Sequence, residues 1–119
     1  MRKSSPNSIP SLILRIYLDA EGHIGHGKIE LLENIRSCGS ISAAARAINM
    51  SYRRAWLLVD EMHRICGQPV VETHAGGKHG GGAKLTSIGL SLVAHYRNIE
   101  RSVEIAARQE LRALRADLA

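Results

Sequence analysis

Phenylalanine is absent from this chain of 119 residues, and its aromatic side chains amount to one Trp and three Tyr. Any core must therefore be aliphatic, built from Leu, Ile, Val and Ala. Cysteine is scarce as well. Cys38 and Cys66 each stand alone inside an apolar pattern, so they read as small buried hydrophobes rather than as a disulfide or a metal pair. No apolar run approaches the ~18 residues that a membrane helix needs. The start carries Arg2 and Lys3 but no apolar stretch of signal-peptide type. The expectation is a cytoplasmic chain with no membrane partner. Its length suits one small domain, and an apolar fraction of 45% is enough to give that domain a core.

Acid is missing from two long stretches. The eleven acidic residues fall into three blocks, Asp19 to Glu33, Asp60 to Glu72 and Glu100 to Asp117. Between them, Asn34 to Val59 holds Arg36, Arg46, Arg53 and Arg54, while Thr73 to Ile99 holds Lys78, Lys84 and Arg97. With a net charge of +5, two basic segments of this kind can converge on one face and attract phosphate. A scattered, solvated surface is the alternative that charge alone leaves open.

The hydrophobic pattern divides the chain into short elements. Leu12 to Asp19 alternates with period two, the pattern of a half-buried strand. Ala20 to Gly27, with three glycines, reads as a loop. Lys28 to Cys38 has Leu31, Leu32, Ile35 and Cys38 at helical spacing, and Gly39 suits the residue that ends the helix. Ser40 is placed to cap an Ala-rich helix from Ile41 to Ile48, and Ser51 to cap another reaching about Ile65. In that second helix Ala55, Leu58, Val59, Met62 and Cys66 lie within about 80° of one another, opposite Arg53, Leu57, Asp60 and Arg64. Val70-Val71 and Lys84 to Thr86 read as paired strands around Gly76 to Gly82, which has five glycines in seven residues. Thr86 then caps a closing helix from Ser87 to Leu118.

Ile41 to Leu58 is the most specific piece. A helix-turn-helix needs two closely approaching helices joined by a tight turn. Ala44 and Ala45 permit the approach, and Asn49 tolerates the left-handed conformation of the turn. In this motif the start of the second helix enters the major groove of DNA. Arg53 there can grip guanine in bidentate fashion or hold phosphate. An ordinary helical hairpin remains the alternative reading. The glycine run lacks the Gly-Lys-Ser/Thr ending of a nucleotide loop. It reads as a hairpin tip lying along DNA, with Lys78 and His79 as contacts, or else as a flexible linker. The histidine pairs His23/His26 and His74/His79 lie in presumed loops without enough converging ligands for zinc. No catalytic triad, carboxylate pair or nucleotide loop is apparent. Neither an enzyme nor a cofactor, metal or small-molecule ligand is expected.

The run from Gly39 to Trp56 (GSISAAARAINMSYRRAW), followed by Gly76 to Thr86 (GGKHGGGAKLT) and Gly89, resembles the N-terminal DNA-binding domain of ModE-type molybdate-responsive regulators. More distantly it is similar to the winged helix of LysR-type regulators. The resemblance extends from about Leu12 into the closing helix. It implies a mainly α fold with a small β-sheet, a winged helix-turn-helix over residues 1–86 with a long C-terminal dimerisation helix over 87–119 in the same unit. It also implies homodimers on palindromic double-stranded DNA. Ser51, Tyr52, Arg53 and Arg54 map onto the recognition-helix start, and Lys78 and His79 onto the wing tip. Ser40, Ser42 and Lys84 complete the candidate DNA contacts. Full-length members continue into oxyanion-binding domains, so a chain ending at Ala119 is expected to lack the molybdate site. Two other readings stay open: a protein-interaction winged helix that no longer binds DNA, and a metal-sensing repressor that uses the histidines.

Dimerisation is read from the closing helix itself. Leu92, Tyr96, Ile99, Val103, Ala107, Leu111, Leu114 and Leu118 form one continuous stripe at spacings of three and four. The remainder of the chain is too small to cover a helix ~48 Å long. Without a strict heptad, helices crossing near a two-fold axis are expected rather than a long parallel coiled coil.

Overall fold

The computed structural model describes residues 12–19, 22–75 and 81–119. Its elements run β1 (Arg15–Asp19), β2 (Gly22–Gly25), α1 (His26–Cys38), α2 (Ile41–Ala47), α3 (Tyr52–Cys66), β3 (Val71–His74), β4 (Gly82–Leu85) and α4 (Ser87–Asp117). Each pair of strands forms its own antiparallel ribbon, β1 with β2 and β3 with β4. This is a winged helix: three helices, a hairpin wing, and a fourth helix leading away. No helix among the described residues is long and apolar enough to cross a membrane.

The expected loop over Ala20 to Gly27 is corrected in part. Gly22–Gly25 forms β2, with Ile16 opposite Ile24 and Tyr17 opposite His23, and α1 begins at His26. Three glycines looked like a turn, but Ile24 between them is fully buried. Pairing with β1 satisfies the backbone that this burial removes from water. The first strand is also shorter than its alternation implied. It starts at Arg15, and Leu18 is exposed rather than half-buried.

Ile29, Leu31, Leu32 and Ile35 of α1 form the centre of the aliphatic core, with Ala44 and Ala45 of α2 and Ala55, Val59 and Met62 of α3 around them. Cys38 departs from expectation. Helical spacing puts it on the buried face of α1, yet it is exposed, because it is the helix's last residue and lies past the end of the core. Gly39 then turns the chain at φ 78°, the left-handed conformation glycine adopts most readily.

One backbone bond joins the wing to the end of α1, and another closes its base. Ala83 N donates to Gly39 O at 2.8 Å, and Thr86 N donates to Val70 O at 3.0 Å. Thr86 also caps α4, its Oγ1 accepting from Gly89 N at 3.1 Å and donating to Pro69 O at 2.8 Å. The backbone of α4 lies directly on the Val70 carbonyl at Gly89. Further along, Val93 and Tyr96 are buried, and the Tyr96 hydroxyl donates to Leu14 O at 2.8 Å. Burial pushes the Tyr96 phenol above its ordinary range, and the nearby Glu100 carboxylate adds to this.

Arg97 makes the last tether between α4 and the domain. Its Nε and one terminal nitrogen donate to both carboxylate oxygens of Glu33 in α1, at 3.0 and 2.8 Å. Its other terminal nitrogen donates to Glu100 at 2.7 Å. The guanidinium hydrogen-bonded to Glu33 holds that carboxyl below the usual range, and the same contact raises Arg97. Beyond Glu100 the side chains of α4 are exposed except for the half-buried Ala107, Leu111 and Arg115, and the molecule measures 59 × 29 × 22 Å.

Two outcomes follow for stability. A Cβ at position 89 would overlap the Val70 carbonyl, which is backbone and cannot swing aside. Gly89→Ala should therefore lower the unfolding free energy in urea by about 1–3 kcal/mol, the usual cost of overpacking. The lowered Glu33 pKa means its contribution is complete above the unfolded carboxylate value and lost as pH falls through the folded one. The gap in Tm between the wild type and Glu33→Gln should be open at neutral pH and close in acid.

Candidate nucleic-acid interface

The interface is built around one tight reversal. Ser40 caps α2 by accepting from Ala43 N at 3.1 Å, and its small helix ends after one and a half to two turns. The Ala45 carbonyl then accepts from both Ile48 N, at 3.2 Å, and Met50 N, at 2.9 Å. Between these, Asn49 has φ 54°, the one positive φ outside glycine among the described residues. Ser51 caps α3 by accepting from Arg54 N at 3.1 Å. The hydroxyl hydrogens of Ser40 and Ser51 are not used by these caps. Ser42, in the first turn of α2, is half-buried.

Packing decides which side of α3 faces out. Ala55, Val59, Met62 and Ile65 are buried, Ile65 beside Gly22 of β2, while Arg53, Leu57, Asp60 and Arg64 are exposed. Leu58 and Cys66, expected in the buried stripe, sit half-buried at its edge. Tyr52, Arg53 and Arg54 are all exposed at the helix start, and the Tyr52 ring meets Trp56 edge-on at 6.3 Å. The first turn of α3 contains no acid, so its positive helix end is unopposed. Arg36, Arg46, Arg53 and Arg54 make no ion pair among the described residues.

The second acid-free segment is more divided. Arg97 is occupied by Glu33 and Glu100 and cannot join a basic surface. Lys84, on the outer side of the wing, is largely exposed but lies 4.0 Å from Glu72 across the β3–β4 pair. Lys78 and His79 lie outside the described residues. Of the other histidines, the His23 ring meets Tyr17 at a tilt with centroids 5.5 Å apart, and His26 faces Glu30 at 3.6 Å. The half-buried His63 accepts from Val71 N at 3.4 Å.

Some residues near α3 gave no signal in the sequence. Lys28, at the start of α1, is 6% exposed, donating to His23 O at 2.6 Å and pairing with Glu61 at 3.2 Å. Arg15 and His26 come beside Arg54 around a cleft. No periodicity links a strand at 15 with a helix at 54. Fold alone brings them together.

No protein-family model matches the chain. The regulator ModE of Haemophilus influenzae is 37% identical to it over 95 residues, 80% of this chain and 37% of that protein. The molybdenum-pterin-binding protein MopB of Rhodobacter capsulatus is 46% identical over 80 residues, 67% of this chain and 30% of that protein. The chain is homologous to ModE-type transcriptional regulators. The DNA-binding transcriptional dual regulator ModE of Escherichia coli K12 agrees, at 42% over 69 residues, 58% of this chain. The chain spans about a quarter to a third of the length of these relatives. Among solved structures, the DNA-binding domain of CbnR in complex with DNA superposes with a TM-score of 0.54 at 21% identity, covering 76% of this chain and 95% of that domain. That likeness establishes the shared winged-helix fold.

Proposed function

We propose that this chain is the DNA-binding unit of a cytoplasmic transcriptional regulator, which docks α3 in the major groove and acts as a homodimer. The observation that carries the reading is the start of α3. Tyr52, Arg53 and Arg54 are exposed there, Arg53 on the side opposite the buried residues, with no acid in the first turn. A helix placed in this way by a helix-turn-helix is suited to base edges and flanking phosphates. The ModE-type relatives, one of them named as DNA-binding, support it. Nothing in this reading requires catalysis. Lys84, with Lys78 and His79, is assigned to the wing's backbone contacts, and Ser40, Ser42 and Ser51 to phosphates at the two helix starts.

The dimer is assigned to the projecting half of α4. Tyr96 and Leu92, which belong to the helical stripe, are taken up by the domain's own core. Ile99, Val103, Leu114 and Leu118 remain exposed, with Ala107 and Leu111 between them. Each buried Leu or Ile contributes roughly 1.5–3 kcal/mol, so a second copy covering this stripe is strongly favoured. The winged helix at residues 1–86 and the helix at 87–119 then act as one unit, with half-sites about one DNA turn, ~34 Å, apart.

Arg53→Ala and Arg54→Ala should separate base reading from phosphate contact. Loss of a bidentate base contact costs about 1–3 kcal/mol and relaxes preference at one position. Loss of a phosphate contact weakens all duplexes alike and lowers the salt slope by about 1. Anisotropy titrations over a range of salt distinguish these, and unchanged binding in both variants refutes the assignment. For the dimer, Val103→Glu with Leu111→Glu in the full chain should sediment as a monomer while keeping the helical spectrum of the wild type. A wild type that is itself monomeric at micromolar concentration overturns this part.

A further inference from the structure

A cleft of about 330 Å³ opens beside the start of α3 and shares only Arg54 with the surface already assigned. Arg15 of β1, His23 of β2, His26 and Lys28 of α1 and Arg54 of α3 line it, against one acid, Glu61. The Glu61 carboxylate and the Lys28 ammonium are 3.2 Å apart, so these two charges answer each other within the wall. Arg15 and Arg54 remain, neither with an acidic partner among the described residues. Two separate elements, β1 and α3, thus give the rim its net positive charge.

We propose that this cleft seats a phosphate of the DNA backbone, flanking the groove that α3 enters, so that the N-terminal hairpin is part of the DNA interface. This rests on the DNA-binding reading above. Two features favour a duplex over a free ion. Arg54 belongs both to the cleft and to the α3 start, so a backbone beside the docked helix passes over the cleft. The cations without partners, Arg15 and Arg54, are exposed at the rim, while the buried Lys28 is already paired. A site that strips water from a small anion would bury its ligands, whereas a passing polyanion needs them at the surface. The start of α1 adds to the field: Gly25 provides no side-chain cap, the first turn has no acid, and Gly27 borders open space. Bare amides at a helix start suit an oxygen anion. Such a contact carries no base information and fixes the register of α3 on the duplex.

The test compares Arg15→Gln and Gly27→Glu with the wild type and with Arg108→Gln, which removes one charge from the projecting half of α4. Binding to a specific and a random duplex is followed over a range of salt, with thermal melting as the check on folding. Arg15→Gln should weaken both duplexes alike, by about tenfold at low salt, and lower the salt slope by about 1. Gly27→Glu places a carboxylate at the helix start, so it should keep or raise the melting temperature while weakening both duplexes. Arg108→Gln should keep the wild-type slope. Cleft variants that bind like Arg108→Gln overturn the proposal. So does calorimetric binding of inorganic phosphate alone that Arg15→Gln abolishes while leaving the DNA salt slope unchanged, since the site then holds a free anion. If the wild type binds no duplex, the DNA reading falls and the cleft assignment with it. That failure appears before any variant is made.

Discussion

The carbonyl of Ala45 receives two amides, from Ile48 and Met50, and the rest of the interface depends on that convergence. It closes the reversal between α2 and α3 within a few residues and requires Asn49 to sit at positive φ. The small side chains of Ala44, Ala45 and Ala55, all buried, allow the two helices to meet closely enough for the turn to close. Larger residues there would force the helices apart, because a close-packed core has little room to give. With the reversal closed, α3 can bury only the side bearing Val59 and Met62. Arg53 and Arg64 are then outside.

Electrostatics is sorted by the same packing. The chain's acid-free stretches suggest one basic surface, but the folded molecule divides them. Arg36, Arg46, Arg53 and Arg54 are exposed without ion pairs among the described residues, whereas Arg97 is drawn into a two-carboxylate clamp. That clamp has a different role. It ties α4 to α1 at the place where the helix leaves the core, adding a bidentate contact to the packing of Gly89, Val93 and Tyr96 that directs the projecting half. Exposed ion pairs contribute little to stability. Here the geometry counts for more than the energy, since the exit angle determines where a second copy can sit.

Much of this fold was legible in the sequence because its signals are local. Ser40, Ser51 and Thr86 announce three helix starts through a hydroxyl that can accept an amide three residues on, and all three make that bond. Gly39 announces an ending, and Asn49 a reversal. The winged helix, the exposed side of α3 and the long closing helix follow from such neighbours in the chain and from helical period. Cys38 shows the limit of period alone: it shares a face with Leu31 but lies past the core's end.

What tertiary structure alone decided involves residues far apart in the sequence. The burial of Lys28 depends on a carbonyl at 23 and a carboxylate at 61. Helical period puts Tyr96 in the stripe that runs the length of α4, yet its hydroxyl bonds Leu14 O and the side chain is core. Gly22–Gly25 became a strand because β1 lay alongside to pair with it. Arg97 lost its place on a basic surface to Glu33, and Arg15 joined Arg54 across the chain. Helix period and capping act over three or four residues and leave a mark in the sequence at that distance. Ion pairs, strand partners and clefts form through space between segments of any separation, so their mark appears only when the chain has folded.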